Sequence, residues 1–153
     1  MADSAIVLSR RTVVLVVDDE KVIAGTLAAI LTHAGFEAHA LFSGEQAIGA
    51  LDRLRPDFLV TDVDMPGMTG IELATITRAK LPACKILLFS AQAAMGKPGE
   101  TDRGQSHEFE ILSKPLHPTE LLEKLRDDGP RRGYHFDEMT HPDVKKTVML
   151  RHN

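Results

Sequence analysis

Short apolar runs that each stop at a polar or charged residue constrain this fold more than any other feature of the chain. Val13-Val14-Leu15-Val16-Val17 runs into Asp18 and Asp19, Phe58-Leu59-Val60-Thr61 into Asp62, Ile86-Leu87-Leu88-Phe89 into Ser90, and Ile111-Leu112-Ser113 into Lys114. Runs of this length, apolar and rich in β-branched residues, read as strands buried on both faces. Stretches of helical period separate them, which requires crossover connections and therefore a parallel sheet. In an open parallel sheet, ligands collect at the carboxyl ends of the strands. Three carboxylates, a hydroxyl and an ammonium are thus expected along one edge.

Between these runs the elements alternate. A strand over about 12–17 precedes a helix with Ile23, Leu27, Ile30, Leu31 and Ala34 at helical spacing, stopped by Gly35. Phe36, Ala38, Ala40 and Phe42 alternate as a second strand. A helix carrying Ala47, Ile48, Leu51 and Leu54 follows and ends before Pro56. Next come a strand over 57–61, a turn-rich loop through Gly70, a helix over 71–80 and a strand over 85–89. A last strand near 109–112 leads through Lys114-Pro115 to a helix with Pro118 in its first turn and Leu121, Leu122 and Leu125 on its inner face. Between the fourth and fifth strands, Gly96, Pro98, Gly99 and Gly104 interrupt the pattern, so a short or broken fourth helix and a loop to about His107 are expected.

A chain of 153 residues holds one domain. The expected division is an N-terminal extension over 1–10, the domain over 11–127, and a tail over 128–153 with no output domain. A net charge of -4 supplies no basic field for nucleic acid, which argues against direct DNA binding. No apolar run reaches membrane-spanning length, so a cytoplasmic protein without membrane contact is expected. The single cysteine, Cys84, reads as a small buried hydrophobe.

Carboxylates gathered at one edge repel one another unless a cation intervenes, and a hard divalent ion is the natural remedy. Magnesium takes few carboxylates, a carbonyl and several waters, leaving room for a phosphoryl oxygen. An ammonium and a hydroxyl nearby would engage the remaining phosphoryl oxygens.

Four strings together resemble the receiver domain of bacterial two-component response regulators. They are Val16-Val17-Asp18-Asp19-Glu20, Thr61-Asp62-Val63-Asp64-Met65-Pro66-Gly67-Met68-Thr69-Gly70, Ser90-Ala91 and Lys114-Pro115. The resemblance implies an α/β fold, a doubly wound five-stranded parallel sheet in the flavodoxin-like order 2-1-3-4-5, with the site where the first and third strands part. It implies that Asp62 is the phosphoacceptor, taking phosphate from a sensor histidine kinase or histidine phosphotransfer protein in a phosphorelay. Asp19, Asp62 and the backbone carbonyl of Asp64 would bind Mg2+, with Asp18 reaching it through water. Lys114 would pair with Asp62 or its phosphate, Ser90 would bond a phosphoryl oxygen after transfer, and the Lys114-Pro115 peptide would be cis.

The chain departs from that pattern where an aromatic ring often precedes the lysine by three residues, because Ile111 stands there. Phe109, on the same strand face, reads as packing. The leading reading is a stand-alone phosphoacceptor, active only in Mg-dependent self-phosphorylation and autodephosphorylation, with an unidentified downstream protein and a homodimer left open. The alternatives are a phosphorylation-independent adaptor and, further off, a haloacid-dehalogenase-like phosphatase suggested by Asp62-Val63-Asp64. Pro66 stands where that family wants Thr or Val. Taken singly, the Asp pair and Ser90 read as helix caps and Lys114 as a solvated side chain; His135 and His141 lack a third metal ligand.

Overall fold

The computed structural model describes residues 10–91 and 109–128. Its strands are β1 (Val13–Val17), β2 (Glu37–Leu41), β3 (Phe58–Asp62), β4 (Lys85–Ser90) and β5 (Glu110–Ser113). They form one sheet in the order β2-β1-β3-β4-β5, with every neighbouring pair parallel. That is the doubly wound order the resemblance implies. The helices, numbered as described, are α1 (Lys21–His33), α2 (Gly44–Leu54), α3 (Gly70–Lys80) and α4 (Pro118–Asp128). The irregular helix and loop expected between β4 and β5, the extension before Arg10 and the tail beyond Asp128 lie outside the described residues. Among the described residues no helix is long and apolar enough to cross a membrane.

β1 and β3 are central strands and are buried at every position. Their residues alternate between two cores rather than between core and water, which is why the sequence shows unbroken apolar runs there. On one face Val14, Val16, Phe58 and Val60 pack under α1 and α4 through Leu27, Leu31, Leu121 and Leu125. On the other, Leu15, Val17, Leu59 and Leu88 pack under α2 and α3 through Leu51, Ile71 and Leu73. Cys84 is buried in this second core. Edge strands β2 and β5 are only partly covered.

Local signals end the helices as expected. Ser43 Oγ accepts Gln46 N–H at 3.1 Å, while Gln46 Oε1 accepts Phe42 N–H at 3.0 Å, a reciprocal cap for α2. Gly35, at φ 105°, turns the chain out of α1.

Two details differ from the sequence reading. β3 runs one residue later than expected: the Asp57 carboxylate turns back to accept Val13 N–H at 2.8 Å, while Asp62 enters the ladder opposite Phe89. In α1, Ala24 and Ala28 join Leu27 and Leu31 against the sheet, whereas Ile23 and Ile30 flank the contact half-buried. The alanines let α1 lie close to the sheet, and the isoleucines are left to line its side.

Candidate functional site

Where β1 and β3 part, the chain leaves the sheet with Asp18 and Asp19 from one strand and Asp62 from the other. Asp18 is fully buried and Asp62 is nearly so, while Asp19 is exposed. One carboxylate oxygen from each lies within 4.8 Å of the others. β4 brings Ser90, buried, to the same edge. From β5, Lys114 reaches across, its Nζ 3.3 Å from Asp62 Oδ2 and 5.4 Å from the centre of the Phe89 ring. Its backbone N–H donates to Ser90 O at 3.1 Å, and the Lys114-Pro115 peptide is cis. All five side chains named from the sequence therefore reach one strand edge. Asp64 follows in the β3–α3 loop, its N–H donating to Asp62 Oδ1 at 3.2 Å.

The electrostatics of this edge favour a cation. Asp18 Oδ1 accepts Glu20 N–H at 2.9 Å, an Asx-type turn ahead of α1 rather than the helix cap a lone aspartate suggests, since the N-cap is Glu20 and takes no side-chain bond. Its other oxygen, Oδ2, is buried without a hydrogen-bond partner among the described residues. Burial pushes the Asp18 carboxyl up to about 6; the Glu20 N–H opposes the rise and the neighbouring Asp62 adds to it. Burial also raises Asp62, against the pull of Lys114. An orphaned carboxylate oxygen among three convergent acids is a donor set that suits a hard, oxygen-seeking ion. Asp18, Asp19 and Asp62 fit magnesium on that ground.

A family profile described as "Response regulator receiver domain" matches residues 14–126. The chain belongs to the response regulator receiver family. Among curated relatives of this receiver, the DNA-binding response regulator MtrA of Mycobacterium tuberculosis (strain H37Rv) is 30% identical over 123 residues, covering 76% of this chain and 53% of MtrA. The sensory transduction protein RegX3 of Mycobacterium bovis is 30% identical over 129 residues, covering 84% of this chain and 56% of RegX3. The chain thus spans about half the length of the curated relatives it matches.

Solved structures agree on the fold of the receiver. The chemotaxis protein CheY4 of Vibrio cholerae superposes with a TM-score of 0.67 at 26% identity, covering 77% of this chain and 98% of CheY4. The response regulator TrrA of Thermotoga maritima, solved with Mg(2+)-BeF, gives 0.65 at 31% identity, covering 76% and 97%.

Reading the sequence alone passes over three features of the site. The Phe89 ring beneath Lys114 looks like ordinary core, as does Thr61 within its apolar run. Gly70 looks like a turn residue, yet it lies against the Asp62 backbone. At the far end of β5, Phe109 is buried with the Arg78 guanidinium 4.3 Å from its ring centre, and Ile111 packs half-buried on the same core. Phe109 is a packing residue, as its strand position suggests.

Proposed function

We propose that this receiver acts as a phosphoacceptor, in which Asp62 takes a phosphoryl group from a phosphohistidine on a kinase or phosphotransfer protein. The observation that carries the reading is the Lys114 ammonium 3.3 Å from Asp62 Oδ2, beside three convergent carboxylates. In the transfer an Asp62 oxygen attacks phosphorus, the P–O bond forms, and the P–N bond breaks with its electron pair returning to the imidazole. Lys114 holds the negative charge that builds on the phosphoryl oxygens. Ser90 offers a hydroxyl to one of those oxygens, and Asp64 N–H orients the attacking carboxylate. Asp19, Asp62 and the Asp64 carbonyl, with Asp18 through water, would hold magnesium, which would neutralise acid and phosphate charge. Water attacking the acyl phosphate would break its bond to Asp62, releasing inorganic phosphate and returning the carboxylate, so the reading requires no substrate beyond the phosphodonor.

The donor has to bring phosphorus to Asp62, so its surface must rest on whatever rims the site. Beside Lys114 lies an apolar groove of about 610 Å³, lined by Val22, Ile23 and Leu27 of α1 together with Phe89, Pro115 and Leu116. Val22 is 79% exposed, a large hydrophobic side chain left in water on the groove that Lys114 also lines. That surface suits an apolar helix of the donor.

MtrA is a DNA-binding regulator; the acidic balance of the present chain, -4, favours protein rather than nucleic acid as its partner. Ile111 in place of an aromatic keeps a second reading in view, an adaptor whose partner binding ignores phosphorylation. Intact-mass measurement after mixing with acetyl phosphate and magnesium tests the acceptor directly. One added phosphate on the unmodified chain and none on Asp62→Asn is expected; equal labelling of both overturns the assignment. Partner affinity unchanged by beryllofluoride and magnesium would instead establish the adaptor.

A further inference from the structure

The peptide that carries Asp62 is held as closely as its carboxylate. The β1–β3 ladder ends at Val17 opposite Thr61, so the Asp62 carbonyl emerges just past the last pairing. Thr61 Oγ1 donates to that carbonyl at 3.0 Å, and Thr61 is fully buried. From the other side comes Gly70, the first residue of α3. A Cβ there would fall 2.0 Å from Asp62 O, 2.8 Å from Asp62 C and 2.9 Å from Val63 Cα, so only glycine lets α3 begin this close. Gly70 N–H then donates to Val63 O at 2.9 Å, and Val63 N–H donates to Phe89 O at 3.1 Å.

A hydroxyl buried at the end of an apolar run costs stability unless it finds a partner. A valine would fill the same space with no such demand, so Thr61 must be judged by what its hydroxyl holds. It holds the carbonyl of the acceptor residue itself. Gly70 packs against the same atoms and so leaves the Asp62–Val63 peptide no room to rotate. Rotation of that peptide would swing both the Asp62 carboxylate, whose Oδ1 accepts Asp64 N–H, and the start of the loop that carries the Asp64 carbonyl.

We infer that Thr61 and Gly70 form a clamp on the Asp62–Val63 peptide, which makes Thr61 a positioning residue for phosphoryl transfer. The clamp rests on the acceptor reading of Asp62. It acts on rate rather than on donor binding, because neither residue needs to touch the donor. In-line attack tolerates little misplacement of the nucleophile.

Two variants separate the hydroxyl from the packing. Thr61→Val keeps the volume and removes the donor; Thr61→Ser keeps the donor and removes a methyl. Initial rates of labelling by acetyl phosphate with magnesium, followed by intact mass across donor concentrations, are the readout. Thr61→Val is expected to lower the maximal rate about tenfold with the half-saturating donor concentration within about twofold of the unmodified chain. Thr61→Ser is expected to stay within about twofold in both. Thr61→Val labelling at the unmodified rate, or Thr61→Ser slowed as much as Thr61→Val, overturns the clamp while leaving the acceptor intact. An unmodified chain that gains no phosphate at Asp62 overturns the acceptor reading and the clamp with it.

Discussion

Lys114 and Asp62 come from β-strands that are not neighbours, yet their charged ends lie 3.3 Å apart across the end of β4. The Phe89 ring, on the strand between them, lies 5.4 Å from the ammonium and gives it a surface to rest on. Replacing the ammonium by an apolar chain of similar length therefore removes charge while keeping the contact with that ring. Lys114→Met is expected to slow acetyl phosphate labelling of Asp62 by about a hundredfold, in line with the loss of one positioned donor to a developing anion. Single-turnover labelling measures this, and a loss of less than about threefold would remove Lys114 from the chemistry.

The acidic edge predicts how stability changes with pH. The folded Asp18 carboxyl titrates near about 6 against an ordinary 3.8, and Asp62 is displaced the same way. Because the folded state holds these protons more tightly, their contribution is fully present below about pH 4 and lost as pH rises through about 6. The metal-free protein should melt at a lower temperature at pH 7 than at pH 5. Magnesium, which favours the ionised acids, should raise the melting temperature clearly at pH 7 and hardly at all at pH 4.5. Thermal melts with magnesium or with a chelator check both arms, and a magnesium effect independent of pH would contradict the assignment.

The edge itself is legible because Asp18, Asp19, Asp62 and Ser90 each follow a run buried on both faces, as strand ends of a parallel sheet do, while Lys114 follows the shorter, partly covered run of β5. Thr61 was not legible. A threonine inside an apolar run satisfies β-propensity whether or not its hydroxyl has a task, and only coordinates show the Asp62 carbonyl beneath it. Gly70 reads as part of a loop, since sequence says where backbone freedom exists but not which atoms come near. The buried side of α1 is only partly legible for a related reason. Leu27 and Leu31 are buried and Ile23 and Ala34 pack against the same core, but Ala24 and Ala28, which carry little hydrophobic signal, are buried more deeply than either isoleucine.

The apolar groove beside Lys114 predicts a split between donors. Val22 stands exposed on the first turn of α1, on the groove that Lys114 also lines and outside the carboxylate cluster. Val22→Glu should leave labelling by acetyl phosphate within about twofold and lower transfer from a cognate phosphohistidine protein at least about tenfold, since a charge would be desolvated in an apolar contact. Parallel time courses with the two donors decide it. Equal loss with both donors would point to damage at the site rather than at a docking surface.

The most severe test of the cation reading is a variant that removes charge without removing shape. Asp18 has one oxygen occupied by Glu20 N–H and the other buried without a partner, in a pocket whose nearest ionisable neighbours include two more carboxylates. Ionised and metal-free, it is a destabilising residue, because burial and like charge act on it together. Asp18→Asn keeps an acceptor oxygen for Glu20 N–H and turns an amide donor toward the remaining acids. The metal-free protein should then gain on the order of 1–3 kcal/mol at pH 7, as expected when an uncompensated buried charge is replaced by a group that can donate. The same change should weaken magnesium binding, so stability and metal affinity should move in opposite directions. Urea denaturation with chelator reads the first and calorimetric titration with magnesium reads the second. A variant that loses stability without metal would mean that the Asp18 charge is satisfied by the protein alone, and the acidic edge would then be no magnesium site.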